Sequence, residues 1–183
     1  MGTLTRGPRE SADGKTTPIR WDRLREVHRS QVARILDLTD AFRPEEIEVA
    51  LEVFDDYLDD PDLGYEALAA FDGQDDTLAG FAFYGATPCT VGTWDLYWIA
   101  VHPRYQGSGI GRELLEGVES RLRKAKARLC VVETSSREDY TATRRFYASC
   151  GYREVARVPE FYDEDEDMVI FTKPLAPPKD ENP

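Results

Sequence analysis

Apolar positions along this chain change their period as the chain proceeds. From Asp22 to Thr39 they fall at Leu24, Val27, Val32, Ile35, Leu36 and Leu38, a roughly helical spacing. Arg43-Pro44-Glu45-Glu46 predicts the start of a second helix, because Pro suits a first turn and acids there meet the positive end of the helix dipole. Ile47, Leu51, Phe54 and Leu58 then recur as one apolar stripe. Beyond this the runs shorten. Tyr65–Phe71 and Leu78–Tyr84, separated by Asp72-Gly73-Gln74-Asp75-Asp76, predict a hairpin, and Thr93–Val101 (TWDLYWIAV) is a third strand. A helix is expected from Ser108 to Lys124, with Ile110, Leu114, Val118 and Leu122 on one face. Leu129–Glu133 reads as a buried strand, and Tyr140–Cys150 as a short helix ended by Gly151. Two more strands are expected near Tyr152–Val158 and Met168–Thr172. The order implies an α+β fold with about four helices and a mixed sheet of about six strands.

Composition narrows the class. The chain has 183 residues, 41% apolar and 11% aromatic, enough for one globular domain with a real core. The Gly-, Pro- and charge-rich segments 1–17 and 174–183 are expected to be tails around a domain at 18–173. The net charge of −12 argues against nucleic acid and anionic membranes as partners, and leaves cationic partners such as small amines open. Cys89, Cys130 and Cys150 are an odd number without metal-ligand spacing, so neither a disulfide framework nor a metal site is expected. No run approaches the ~20 apolar residues of a membrane span. Met1–Lys15 is polar, unlike a secretory signal, and a cytoplasmic protein is the expectation.

The chemistry concentrates in Trp94–Leu115, where a strand feeds a Gly-rich turn that opens an amphipathic helix. In Gln106-Gly107-Ser108-Gly109-Ile110-Gly111, glycines admit left-handed backbone and close approach, so N–H groups converge on a phosphate at the helix N-terminus. No Lys-Ser/Thr follows, so this is not a P-loop. The preceding strands do not form the opening βαβ unit of a dinucleotide site.

Val101-His102-Pro103 followed by Gln106–Gly111, with Arg144-Arg145-Phe146-Tyr147 ahead of Cys150-Gly151-Tyr152, resembles the two signatures of the GNAT acetyltransferase superfamily. The resemblance is strong over 94–152 and in outline over 20–173. It implies a layered α/β/α arrangement on a splayed, mostly antiparallel sheet of six to seven strands, with acetyl-CoA as co-substrate and no metal. The cofactor's pantetheine would run between the family's fourth and fifth strands, against the backbone of Ile99, Ala100 and Val101. Its pyrophosphate would sit on the loop of Gln106, Gly107, Ser108, Gly109, Ile110, Gly111 and Arg112. Arg104–Arg128 holds seven basic and three acidic residues, which suits a phosphorylated cofactor.

Direct transfer to an amine moves two protons. An alkylammonium near pKa 10.4 must lose one before it attacks the thioester, and the departing thiolate gains one. Tyr147 matches the family's general acid. For the base, Asp95 comes first: it stands where histone-acetylating relatives place a Glu, and its shorter side chain would act through water. Glu133, at the end of its strand, is the second candidate. Tyr140 stands where many members have an Asn against the pantetheine arm, with Ser135 and Ser136 nearby.

Cys130 and Cys150 read as small core residues, His102 as a surface turn residue, and His28 as a solvated position on the first helix. Asp163-Glu164-Asp165-Glu166-Asp167 reads as a solvated loop, which the resemblance would set near the acceptor side or a homodimer contact. The acceptor itself is left open, as an amine of small-molecule or protein origin. A non-catalytic acetyl-CoA-binding regulatory module on the same fold is the alternative to an N-acetyltransferase.

Overall fold

Seven strands form one mixed sheet in the computed structural model, which describes residues 9–10, 16–73 and 76–175. The strands are β1 (Ile19–Asp22), β2 (Tyr65–Asp72), β3 (Thr77–Ala86), β4 (Thr93–Val101), β5 (Leu129–Ser135), β6 (Arg153–Asp163) and β7 (Glu166–Pro174), in the order β1-β2-β3-β4-β5-β7-β6. Four α-helices accompany them: α1 (Arg29–Leu38), α2 (Pro44–Asp59), α3 (Ile110–Lys124) and α4 (Thr141–Ser149). β1–β2, β5–β7 and β6–β7 pair antiparallel, and β4–β5 pair parallel. Gln74 and Asp75, in the expected hairpin turn, lie outside the described residues, as do 1–8, 11–15 and 176–183 of the expected tails. Arg9–Glu10 pairs with Thr16–Thr17, and Pro174 closes β7. Among the described residues no helix is long and apolar enough to cross a membrane.

The described residues divide into two units, 1–83 with 98–118 and 84–97 with 119–183. In the first, Val32, Ile35 and Leu36 of α1 and Ala50, Val53 and Phe54 of α2 bury against Ala67, Ala69 and Phe71 of β2 and Phe81 and Phe83 of β3. Pro44 occupies the first turn of α2, and the Arg43 N–H donates to Glu46 Oε2 at 2.7 Å, so the helix begins where the sequence predicts. The buried stripe is rotated from the expected one: Ala50, Val53 and Phe54 form its centre, and Ile47, Leu51 and Leu58 flank it half-buried. The first helix also starts later. Asp22 ends β1, a 3₁₀ turn occupies Glu26–His28, and Val27 is 70% exposed. Its apolar spacing imitates helical periodicity in a segment that turns instead.

In the second unit Tyr147 of α4 packs on Tyr152 and on Phe171 of β7, and all three are buried, as is Val169. Lys173 on β7 donates to both carboxylate oxygens of buried Glu119 on α3, at 2.7 and 2.9 Å, and to the Cys150 carbonyl at 2.8 Å. The acidic run is mostly strand: only Glu164 and Asp165 form the turn, Asp163 pairs with Glu166, and Glu166 is buried. The run is therefore a hairpin rather than a loop, with Asp163, Glu164 and Asp165 exposed and Asp167 half-buried.

Back in the first unit, Gly80 lies close against the end of β4. A Cβ there would stand 2.8 Å from the Ala100 carbonyl oxygen and 3.3 Å from Val101 Cα, both backbone atoms that cannot move aside. Gly80→Ala is expected to destabilise the fold by about 1–3 kcal/mol, the range for overpacking, measured as a lower denaturation midpoint at unchanged m-value. An unchanged midpoint would show that β3 and β4 are free to separate here.

Candidate active site

In the first unit β4 runs out at Val101 into a 3₁₀ turn, Pro103–Tyr105, and then into the Gly-rich loop. Three contacts hold this exit. The His102 N–H donates to the Ala79 carbonyl at 2.9 Å, Gln106 Nε2 donates to the Val101 carbonyl at 3.1 Å, and the Tyr105 hydroxyl donates to Asp72 Oδ2 at 2.8 Å. Gln106 therefore ties the loop to its own strand, and its side chain is spent on the backbone. Gly107 and Gly109 adopt φ of +74° and +91°, the left-handed region that only glycine enters without cost. A Cβ at Gly107 would meet nothing within 4 Å, so the loop's outer side is open. The Ser108 hydroxyl donates to the Tyr105 carbonyl, closing the turn from inside. Gly109 O accepts the Glu113 N–H at 3.1 Å, which makes Gly109 the N-cap and Ile110, Gly111 and Arg112 the first turn of α3. The cradle suits a diphosphate: left-handed glycines, an open side and a helix N-terminus of positive partial charge. Ile99, Ala100 and Val101 lie at the end of β4 leading into it, with Ala100 buried and the other two half-buried.

The second unit holds the three titratable candidates. β4 and β5 are in register at Thr93↔Leu129, Trp94↔Cys130 and Asp95↔Val131, and the register ends there. Val132, Glu133, Thr134 and Ser135 keep partners on β7, so among the described residues this half of β5 is paired along one edge. Residues in register share a face, and alternation puts i and i+2 on the same side. Asp95, Val131 and Glu133 therefore share one face. Val132 is in register with Phe171, and the Tyr147 ring lies 6.0 Å from that of Phe171, so Tyr147 packs on the opposite face. The general-acid candidate and both base candidates thus flank the half-paired end of β5 from opposite sides.

Their environments differ as their positions do. Tyr147 is 5% exposed, between Phe146, Tyr152 and Phe171. Burial, and then the neighbouring Cys130, Tyr140 and Cys150, push its phenol well above the usual range, so it stays protonated at neutral pH. Arg144 fixes the start of α4 by donating to the Ser135 and Arg137 carbonyls at 2.7 and 2.8 Å and to Thr141 Oγ1 at 3.0 Å. Glu133 is exposed, yet partial desolvation and then the charge of Asp95 hold its carboxyl above the ordinary carboxylate value. Asp95 is half-buried and accepts the Thr87 hydroxyl at Oδ2, 2.7 Å away.

Sequence reasoning missed that threonine, since nothing in a hairpin loop marks which hydroxyl will reach a carboxylate. It also placed His28 in solvent, whereas the ring is 1% exposed and lies 4.7 Å from Phe71. Its Nδ1 accepts the Arg25 N–H at 2.9 Å, and Nε2 stands 3.3 Å from Asp76, so it is a structural residue of the first unit. His102 is half-buried and caps Arg104 N–H through Nδ1. Burial, then Arg34 and Arg104, lower its pKa. Cys130 is fully buried, which pushes its thiol up to about 11 and makes it a poor nucleophile. Tyr140 is buried at the start of α4 with the Arg137 guanidinium 5.0 Å over its ring.

Comparison with known proteins agrees with this geometry. The model of the acetyltransferase (GNAT) family matches residues 32–152. A Desulfovibrio desulfuricans protein assigned to the GNAT family is 39% identical, with 86% of this chain and 99% of that one covered and a TM-score of 0.81. The ribosomal-protein-S18-alanine N-acetyltransferase of Escherichia coli shares the fold at 22% identity, covering 90% and 99% at a TM-score of 0.69. The Salmonella typhimurium protein yncA, solved with its cofactor acetyl-CoA, does so at 18%, covering 90% and 98% at 0.67. No curated protein matches the chain. The chain belongs to the GNAT family of acetyltransferases and is an acyltransferase.

Proposed function

We propose that the protein transfers acetyl from acetyl-CoA to a primary amine by direct attack in a ternary complex. The observation that carries this reading is the placement of Tyr147 on one face of the half-paired end of β5 and of Asp95 and Glu133 on the other. Direct transfer needs a proton taken from the acceptor and a proton given to the leaving sulfur, so a donor and an acceptor on separate sides suit it.

Acetyl-CoA, when bound, supplies a thioester whose carbonyl carbon the amine attacks. The loop from Gln106 to Arg112 would hold its diphosphate through backbone N–H groups and the α3 dipole, and Ile99, Ala100 and Val101 would offer backbone groups to the pantetheine amides. The Asp95–Glu133 pair takes the proton from the ammonium nitrogen. The Tyr147 hydroxyl, kept protonated by burial, gives its proton to the departing sulfur and is reprotonated from solvent. A Cys route gains no support, because Cys130 is buried with a raised pKa. The relatives with coenzyme A or acetyl-CoA in their structures favour the same cofactor here.

Acetyl-CoA at 100 times its dissociation constant is expected to stabilise the protein by about 2.7 kcal/mol, read as a thermal shift that ATP and NAD do not produce. A shift with ATP or NAD alone would point the Gly-rich loop to another nucleotide. Tyr147→Phe should lower kcat by about 10²–10⁴-fold while acetyl-CoA affinity by calorimetry stays within about twofold. Unchanged kcat in that variant would remove Tyr147 from the acid role.

A further inference from the structure

Asp95 and Glu133 lie diagonally on neighbouring parallel strands, Asp95 in register with Val131 and Glu133 two residues on. Their surroundings are unequal. The loop that returns β3 to β4 is closed at its mouth by the Thr87 N–H, which donates to the Thr93 carbonyl at 3.0 Å. The Thr90 hydroxyl donates to the Thr87 carbonyl at 2.8 Å, so the Thr87 backbone is held on both its polar groups. From that fixed position Thr87 Oγ1 donates to Asp95 Oδ2 at 2.7 Å. Among the described residues no hydrogen bond or ion pair reaches the Glu133 carboxylate, which is exposed and one methylene longer.

We propose that Thr87 is a positioning residue that divides the work of the two carboxylates: it fixes Asp95 as a charged neighbour, and Glu133 is the one that takes the proton of the acceptor amine. The proposal rests on the acetyl-transfer reading above and settles which member of the pair is the base. The Thr87 hydroxyl occupies a lone pair of Asp95 Oδ2 and restrains the rotation of that carboxylate. Glu133 keeps its acceptor sites. A like charge held nearby raises its affinity for a proton, and the physical causes acting on Glu133 are desolvation followed by Asp95.

The other groups on this face fit the division. Tyr97 alternates with Asp95 on β4, Ile170 and Thr172 of β7 flank Glu133 and Val131, and Arg153 of β6 is in register with Thr172, two strands from Glu133. In the step itself the N–H bond of the ammonium breaks and an O–H bond forms on Glu133, directly or through one water. The freed nitrogen lone pair then attacks and the C–S bond breaks. The acylated nitrogen sheds its second proton to solvent to leave the neutral amide, and Glu133 later returns its proton to solvent.

The test combines carbon-13 NMR titration of the Glu133 carboxyl with pH profiles of kcat/KM. Thr87→Val and Asp95→Asn should both move the Glu133 titration to lower pH and carry the acid limb of kcat/KM with it. Thr87→Ser, which restores the hydroxyl, should leave both where they are in the wild type. Thr87→Val should lose about tenfold in kcat/KM at unchanged KM for acetyl-CoA, and Glu133→Gln at least about a hundredfold, within the span of general-base catalysis. With wild-type turnover intact, a Glu133 titration that does not move in Thr87→Val would overturn the proposal. So would an Asp95→Asn variant as impaired as Glu133→Gln with an unmoved acid limb. Absence of amine-dependent turnover in the wild type would instead refute acetyl transfer itself.

Discussion

The parallel register between β4 and β5 stops at Asp95 and Val131, and the arrangement of the catalytic candidates follows from that stop. A strand paired on both edges is sealed by its neighbours' backbones. The second half of β5 keeps β7 on one edge, and the proposed reading would lay the thioester arm, with its own amides, along the other. Pleating does the rest. Alternation along β5 sends Val132 to the face that carries Tyr147 and Glu133 to the face that carries Asp95. The proposed proton donor and the proposed proton acceptors thereby stand on opposite faces of one sheet, without any loop having to bring them together.

Holding Tyr147 in place takes two anchors at the two ends of α4. Arg144 grips the carbonyls of Ser135 and Arg137 near the helix start. Lys173 grips the Cys150 carbonyl beyond the helix end, with buried Glu119 satisfying its charge. A buried ion pair of this kind adds little net stability over apolar packing, but breaking it strands a charge in the interior. Its worth here is positional: Tyr152, packed on Tyr147, has Lys173 Nζ 5.4 Å over its ring. The same burial that fixes the Tyr147 ring keeps its hydroxyl protonated, so its position and its protonation state come from one cause.

Much of this was legible before any coordinates. The stripe Ile110, Leu114, Val118 and Leu122 is buried along α3, and Gly107 and Gly109 take the left-handed backbone that their residue type suggests. Glycine and strict i+4 spacing are local signals, and local signals survive folding. What stayed hidden was set by tertiary partners. β1 is four residues in a charged stretch and exists because Arg20 and Trp21 find Phe71 and Ala70 on β2. His28 is buried by Phe71 and held by Arg25 and Asp76, two of them distant in sequence. The Asp163–Asp167 run looks like a solvated loop because acids usually are, but its register places Glu166 in the interior. Thr87 was invisible for the same reason, since its importance lies wholly in what stands across the hairpin.

In the proposed function an amine acceptor is acetylated by chemistry divided between the two faces of β5. The most direct measurement is release of coenzyme A thiol from acetyl-CoA by the wild-type protein across a panel of primary amines, with acetylated product identified by mass. Release is expected to depend on the amine, to match product one for one, and to collapse in both Tyr147→Phe and Glu133→Gln while acetyl-CoA binding persists. Thiol release no greater than hydrolysis with every amine, or equal release in those two variants, would contradict it.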